Sequence, residues 1–437
     1  MIGAVAGNAT GSGRGMDSPR SSSPFSNRDF RLLFGGSSIS MIGDQFTLIA
    51  LPWLVLQLTG NPVQLGLVLA AMALPRAVFM LVGGAVVDRL SPRRVLLNAR
   101  GANALLAGLL AGLVLAGAIQ MWMVYVLAFS IGLCTAFAYP AGGSILPQIV
   151  APAQLQIANS MIMGMRQLST LIGPALAGLL VTAGSSGKGS GAHGTGLAFA
   201  VDAVSFLFSV ASLLAIRIAS DRESRAPAGG VLAQVWEGFR ALSQDLQLRS
   251  FVAYMALVSV LVMGPLQVGL PLFAKTRFSE GAAAFGWLMT ANGIGMLLGS
   301  VMSTSVTRLV RGRLGVMILS LDAAAGLALA ALSGVHSVLT GAALLVLTGL
   351  FAGAVQIAII SWLQRRVPHA MMGRIMSIVF FTFLGLAPLA AALAGGLLKL
   401  ISLNELFVGA GLSLTTAALL CLTRPSLRAI QLQRAPA

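Results

Sequence analysis

Twelve apolar stretches of membrane-spanning length follow one another along this chain and constrain its fold more than any other feature. An α-helix needs about 20 apolar residues to cross the hydrocarbon core of a bilayer. The stretches are too long and too uniformly apolar for barrel strands, whose residues alternate in polarity. We therefore predict an all-α polytopic membrane protein with one transmembrane helix near each of residues 35–58, 65–87, 95–119, 121–145, 158–183, 195–218, 250–274, 283–306, 314–334, 338–362, 374–397 and 403–423.

The charges of the chain fit a bilayer better than a nucleic acid. Only 9% of the residues are charged, which is too few to disperse a soluble protein of this size. The net charge of +16 is spread over many short loops and forms no continuous basic face. The lipid bilayer is thus the expected partner, and no nucleic acid is expected.

The distribution of Lys and Arg orients the predicted helices. Of the 28 such residues, Arg76 and Arg166 are assigned to helix interiors, and nearly all the others fall on the side that holds both tails. Because cytoplasmic loops are enriched in Lys and Arg, both termini are predicted to be cytoplasmic. The opposite, external side holds only Lys188, Lys275, Arg277 and Lys399.

Five segments are expected along the chain. A disordered cytoplasmic tail (1–33) precedes a six-helix bundle (34–218), a cytoplasmic linker (219–249), a second six-helix bundle (250–423) and a cytoplasmic tail (424–437). The second part of the linker is predicted to form an amphipathic helix on the membrane surface. Its apolar positions at helical spacing are Val231, Val235, Trp236, Phe239, Leu242 and Leu246.

The sequences of the two bundles indicate an internal repeat. The segment that begins at Gly66 matches the one at Gly286, and the segment at Leu146 matches the one at Leu363, both with offsets close to 220 residues. Two six-helix halves in parallel orientation are an architecture of secondary transporters.

The short loop between the second and third helices carries the most recognisable motif, GAVVDRLSPRRVLL. It resembles the signature of the major facilitator superfamily, G-x-x-x-D-R-x-G-R-R/K, although Ser91 and Pro92 depart from it. The resemblance implies a cytoplasmic gate in which the Asp contacts a helix terminus and an Arg across the two halves. The gate residues are Gly84, Asp88, Arg89, Arg93 and Arg94.

Further segments resemble the drug-efflux branch of that superfamily, which includes macrolide and enterobactin exporters. They are NRDFRLL, SMIGDQFTLIALPWLVLQLTG and LPQIV…ANSM…GPALAG. Gly173, Pro174 and Gly178 match the antiporter motif of the fifth helix, whereas the fourth helix lacks the Arg of many proton antiporters. The resemblance implies a bacterial cytoplasmic (inner) membrane location, alternating access, a small-molecule substrate and coupling to protons.

Charged residues inside a bilayer are costly and usually face protein or water. Asp44, Arg76 and Arg166 are predicted at similar depths, so they share one polar cluster if their helices adjoin. Asp44 then either titrates during transport or forms a fixed ion pair that locks helix packing. Asp202 and Asp322 are weaker candidates, expected to be packing or helix-end partners.

Neutral polar residues within the apolar runs are either substrate contacts or interhelical hydrogen bonds. In the resembled fold the helices that carry them line the central cavity. They are Gln45, Gln267, Asn292 and Gln356. Two glycine pairs, Gly108-xxx-Gly112 and Gly295-xxx-Gly299, are predicted to allow close helix approach.

No catalytic, metal or cofactor motif is present in the sequence. There is no Walker A loop and no Cys/His cluster, and Cys134 and Cys421 lie in apolar runs. We therefore predict no enzyme activity, no metal and no cofactor. The leading hypothesis is proton-coupled efflux of a hydrophobic or amphipathic small molecule such as a drug, an antibiotic or a siderophore-like compound. A metabolite importer or facilitator and a transport-inactive sensor or scaffold remain alternatives, and the oligomeric state is left open.

Overall fold

The structure, a computed structural model, describes residues 23–89, 91–185, 192–216, 240, 244–310, 313–367, 375, 378–379, 382, 385–424 and 428, with the side chains of 80–89, 185, 304 and 309 omitted. Within these ranges the regular elements are helical and contain no strand. Most of the predicted amphipathic helix of the linker lies outside the described residues, which include only Arg240 and residues 244–246 of it.

Each predicted apolar run contains one described helix. The first half has α1 (Arg28–Thr59), α2 (Pro62–Arg89), α3 (Pro92–Leu115), α4 (Met121–Ile149), α5 (Leu155–Ser185) and α6 (His193–Ala215). The second half has α7 (Leu246–Arg277), α8 (Ala282–Leu309), α9 (Leu314–Ala331), α10 (Val338–Arg366), α11 (Ala387–Leu397) and α12 (Leu403–Thr423). In the described part of the chain eleven helices are long and apolar enough to span a membrane, and α11 is shorter. The all-α polytopic prediction is confirmed.

Local signals set several of the helix ends. Gly60 adopts φ 61° after α1, a left-handed conformation that suits glycine, and Pro62 then begins α2. The predicted break between the third and fourth runs, 95–119 and 121–145, falls at Gln120. It is found there, because α3 ends at Leu115 and Gln120 is the residue before α4.

Helix pairing follows the same pattern in the two halves. In the first half α1 packs on α5 and α6, α2 on α4, and α3 on α4 and α6. In the second half α7 packs on α11 and α12, α8 on α10, and α9 on α10 and α12. Helices n and n+6 therefore have equivalent partners, which is the structural form of the repeat seen in the sequence. The halves meet through α2 with α11 and α5 with α8.

The hydrophobic clusters show where the halves are joined. We call the membrane side on which α1 begins the near face and the other side the far face. At the far face one continuous cluster includes Leu54 of the first half and Phe273 and Phe285 of the second. At the near face there are two separate clusters, one around Phe30 and one around Phe251. Among the described residues the halves thus pack at the far face and separate toward the near face.

Asp245, outside the membrane-spanning helices, caps α7 at the near face. Its carboxylate accepts hydrogen bonds from the backbone N–H groups of Gln247 (2.9 Å) and Leu248 (3.1 Å) and pairs with the Arg366 guanidinium at 2.9 Å. Partial burial raises the pKa of Asp245, but these hydrogen bonds and the Arg366 charge outweigh it and hold the pKa below its ordinary value of 3.8.

Asp245→Ala is therefore expected to lower the stability of the protein by about 1 kcal/mol, the usual cost of losing a helix N-cap. A depressed pKa stabilises the folded state above the unfolded pKa, and that contribution is lost as pH falls through the folded pKa. Thermal unfolding in detergent, at neutral and at acid pH, measures the loss of stability and its dependence on pH. The neighbouring exposed Gln244→Ala is the control. An equal loss of stability in both variants would contradict the cap.

Candidate functional site

Each helix of the first half contributes one charged or phenolic side chain to a single polar cluster within the membrane region. Electrostatic interactions and hydrogen bonds link the six members, which bring two carboxylates, three guanidiniums and one phenol together. We call this set the six-helix cluster. It consists of Asp44, Arg76, Arg100, Tyr139, Arg166 and Asp202.

Asp44 lies near the middle of α1, and its side chain is exposed. An ionisable side chain exposed at this depth faces a water-accessible cavity more readily than lipid. Arg100, Arg166 and Arg76 dominate its electrostatic surroundings. No described cation lies within 4 Å of its carboxylate, so the guanidiniums surround Asp44 without forming a direct ion pair. This geometry does not show the fixed ion pair of the alternative interpretation.

Arg166 of α5 and Tyr139 of α4 form the best-defined contact of the cluster. Arg166 Nη1 donates to the Tyr139 hydroxyl at 3.3 Å, and Arg166 Cζ lies 5.1 Å from the centroid of the Tyr139 ring. Arg166 Nε is buried and has no acceptor among the described atoms. The Nη1 group of this guanidinium is thus hydrogen-bonded to protein, whereas the buried Nε donor has no described acceptor.

Arg76 and Arg100 complete the positive charge of the cluster. Arg76 is half-buried on α2 and interacts electrostatically with Tyr139 and Asp44. Arg100 was counted with the cytoplasmic loop residues, and this assignment was wrong. It lies within α3, and its Nη2 donates to Ser37 Oγ of α1 at 3.3 Å. Its position inside the third apolar run was the signal that could have placed it.

Asp202 sits behind α1, between α1 and α6, with a side chain only 2% exposed. It accepts hydrogen bonds from Thr47 Oγ1 and, at 3.4 Å, from Ser205 Oγ. Gly43 makes this approach possible, since a Cβ there would overlap Ser205 and lie 2.8 Å from Asp202 Oδ1. Asp202 therefore ties α1 to α6, and it lies close enough to Asp44 to interact with it electrostatically.

Asp322 forms a separate buried contact in the second half. Its carboxylate accepts a hydrogen bond from the Tyr254 hydroxyl at 2.8 Å, which joins α9 to α7. The pair lies apart from the six-helix cluster. A packing role, as the sequence predicted for Asp322, fits this geometry.

The four neutral candidates occupy different environments. Gln45 packs on Gly173 of α5, and its Oε1 is buried without a donor among the described atoms. Asn292 donates to Leu345 O across α8 and α10 at 3.4 Å, as an interhelical hydrogen bond would. Gln267 lies in a π-helical turn, Pro265–Gly269, that interrupts α7, and π-helical turns are frequent at functional sites. Gln356 is exposed.

Two residues of the antiporter-like motif, Pro174 and Gly178, lie at the seam between the halves on the far face, whereas Gly173 faces Gln45 of α1. A Cβ at Gly178 would lie 2.5 Å from Ala282 O and 3.1 Å from the Gly286 Cα of α8. The Thr182 hydroxyl accepts from the Ala283 N–H at 2.9 Å in the same seam. An equivalent seam joins α2 to α11, where a Cβ at Gly66 would lie 2.5 Å from Ala391 O.

The gate motif spans the end of α2 and the start of α3. Gly84, Asp88 and Arg89 belong to α2, and their side chains lie outside the described set. Arg93 donates to the carbonyls of Leu213 (3.0 Å) and Leu214 (3.1 Å) at the end of α6, within the first half. Arg94 follows in α3. The contact of Asp88 across the halves stays a prediction.

Two repeated six-helix halves, joined at one face and carrying charged groups at mid-membrane in one half, define a membrane transport protein built from parallel repeats. The chain belongs to the Major Facilitator Superfamily, whose sequence profile matches residues 33–392.

Comparison with known proteins agrees with the resemblance to the drug-efflux branch. The multidrug efflux pump Tap of Mycolicibacterium fortuitum is 27% identical over 404 residues, 90% of this chain and 95% of that protein. Macrolide efflux protein A of Streptococcus pyogenes is 26% identical over 151 residues, 35% of this chain and 37% of that protein. The crystal structure of nucleoside transporter NupG shares the fold, with a TM-score of 0.70 at 13% identity over 90% of this chain and 98% of that one.

Proposed function

We propose that this protein is a secondary active transporter that exports a hydrophobic or amphipathic small molecule from the cytoplasm, driven by the proton gradient. The observation that carries the proposal is Asp44, an exposed carboxylate at mid-membrane among three guanidiniums that do not contact it directly. The similarity of the whole chain to a multidrug efflux pump supports the direction of transport.

The protonation of Asp44 provides a physical link between protons and conformation. Its ionised carboxylate attracts Arg76, Arg100 and Arg166, which belong to α2, α3 and α5. Protonation removes that attraction, so the two protonation states of Asp44 favour different packing of α1 against these helices. A proton then shifts the balance between inward-open and outward-open conformations by its different free energy of binding to each.

The orientation follows from the excess of Lys and Arg on the near face, which we assign to the cytoplasm. Both termini are then cytoplasmic, and the separation of the halves toward the near face corresponds to an inward-open state. A substrate in the cytoplasm, or in the inner leaflet, has access to the six-helix cluster from that side.

Accumulation of a fluorescent dye panel in cells tests the proposal. Cells that express the protein are expected to accumulate less of at least one dye than cells with an empty vector, and an uncoupler is expected to abolish the difference. Greater accumulation on expression would indicate an importer instead. Equal accumulation across the panel, with the protein present in the membrane, would favour the transport-inactive sensor or scaffold.

A further inference from the structure

The charges inside the membrane-spanning helices are distributed unevenly between the two halves. Of the 12 acidic residues in the chain, only Asp44, Asp202 and Asp322 lie well inside described membrane spans. Asp202 and Asp322 are 2% and 6% exposed, so Asp44 is the exposed carboxylate among these three. Three guanidiniums surround it, which leaves the cavity side of the first half positive.

The second half does not offset this charge. Its candidate cavity residues are Gln267, Asn292 and Gln356, all neutral, and its one deeply placed carboxylate, Asp322, is turned toward Tyr254 between α7 and α9. Lys275 and Arg277 lie at the far end of α7 and add positive charge only. A cation that enters the cavity therefore meets one exposed carboxylate with three guanidiniums around it.

The guanidinium of Arg166 has N–H donors placed to bind an anion. Its only described hydrogen bond runs from Nη1 to Tyr139, and Nε has no acceptor. A guanidinium binds a carboxylate through two parallel N–H donors. In Arg166, Nη2 has no described acceptor, and Nε on the same edge is a buried donor that lacks one. The Tyr139 ring stacks against the same guanidinium and limits its orientations.

We propose that the transported molecule carries an acidic group, a carboxylate or a similar delocalised oxyanion, and that Arg166 binds this group beside Tyr139. This inference rests on the proposed export function and adds the charge of its substrate. The apolar remainder of the molecule lies in the cavity between the halves. Permanently cationic amphiphiles are poor substrates, because the six-helix cluster repels them.

The acidic group and Asp44 compete for the same guanidiniums. Removing the Asp44 charge is then expected to strengthen binding of an acidic molecule, even where it stops energised transport. A purely structural role for Arg166 predicts no such opposite effects of Asp44 and Arg166 variants on binding.

Three pyrene probes with the same apolar body test the inference. 1-Pyrenebutyrate is anionic, 1-pyrenebutanol neutral and (1-pyrenebutyl)trimethylammonium cationic. Binding to the full-length protein in lipid nanodiscs is followed by energy transfer from Trp to pyrene, with empty nanodiscs as the blank. We expect the butyrate to bind at least about tenfold more tightly than the other two, a difference equivalent to ~1.4 kcal/mol.

The variants separate the inference from its alternatives. Arg166→Gln is expected to remove the preference for the butyrate and Asp44→Asn to increase it, while the control Arg249→Gln, at the exposed near-face end of α7, keeps it. Tyr139→Phe, which removes only a hydroxyl, provides a second test if Arg166→Gln does not fold, and it should weaken the butyrate preference. Equal or tighter binding of the cationic probe, or a preference that survives both Arg166→Gln and Tyr139→Phe, would overturn the inference. Export of a cationic dye in the cell assay would also overturn it while leaving the proposed function intact.

Discussion

Asp44→Asn is expected to abolish energised efflux while leaving the protein inserted in the membrane. Asn keeps the size of the side chain but has no proton to gain or lose and no charge to attract the three surrounding guanidiniums. The energised rate should fall at least about tenfold, since typical coupling free energies are 1–3 kcal/mol. Dye efflux from preloaded cells, with protein abundance measured in isolated membranes, gives the result.

The matched control for this prediction is Asp29→Asn, which changes the same residue type in the same helix but outside the membrane core, in the first turn of α1. It should retain energised efflux. If Asp44→Asn exported dye as fast as the unmodified protein and remained sensitive to the uncoupler, Asp44 would have no part in coupling. The proton would then have to act elsewhere.

Gly178→Val is expected to open the far-face seam and stop transport. A Cβ at this position would lie 2.5 Å from Ala282 O, whereas a carbon–oxygen contact normally lies at about 3.3–3.6 Å. The obstructing atoms are backbone, so α5 and α8 must move apart by roughly 1 Å before the larger side chain is accommodated. The conformation of this structure, in which the seam is closed at the far face, should lose population.

The opening of the seam is measured as the distance between two spin labels, in a background without Cys134 and Cys421. The labels replace Trp122 and Leu339, two exposed residues at the far-face ends of α4 and α10. The distance should lengthen in Gly178→Val. Gly164→Val is the control on the same helix, because a Cβ at Gly164 meets no atom within 4 Å, and its distances should match those of the parent. Unchanged distances in Gly178→Val would show that the seam does not determine the conformation.

The sequence predicted the helices well because crossing a bilayer requires a length of apolar chain that few other structures need. It also predicted the repeat, since equivalent helices have equivalent neighbours. Contacts between distant residues were harder to predict. In the pair Gly295-xxx-Gly299, both glycines closely approach the backbone of α10. In the pair Gly108-xxx-Gly112, which has the same spacing, Gly112 has no neighbour within 4 Å of an added Cβ. The spacing permits close approach, and only the position of the neighbouring helix decides whether it occurs.

The contacts within the six-helix cluster were also only partly predictable from the sequence. Asp44, Arg76 and Arg166 were found from the sequence because a charge in an apolar run is conspicuous. Arg100 was missed because it stands close to the arginines of the loop, and a count of loop charges absorbed it. Tyr139 carries no charge, so nothing in the sequence distinguished it from other aromatic residues. Its role emerged only when α4 was placed beside α5.

Accessibility of a cysteine at position 139 tests most directly whether the six-helix cluster lines a cavity open to the cytoplasm. Tyr139→Cys, in a background without Cys134 and Cys421, is treated with a membrane-impermeant maleimide in inverted and in right-side-out vesicles. The cysteine should react faster in inverted vesicles, where the cytoplasmic face is outside. Faster reaction in right-side-out vesicles, or reaction only with a lipid-soluble maleimide, would contradict the proposed cavity and its orientation.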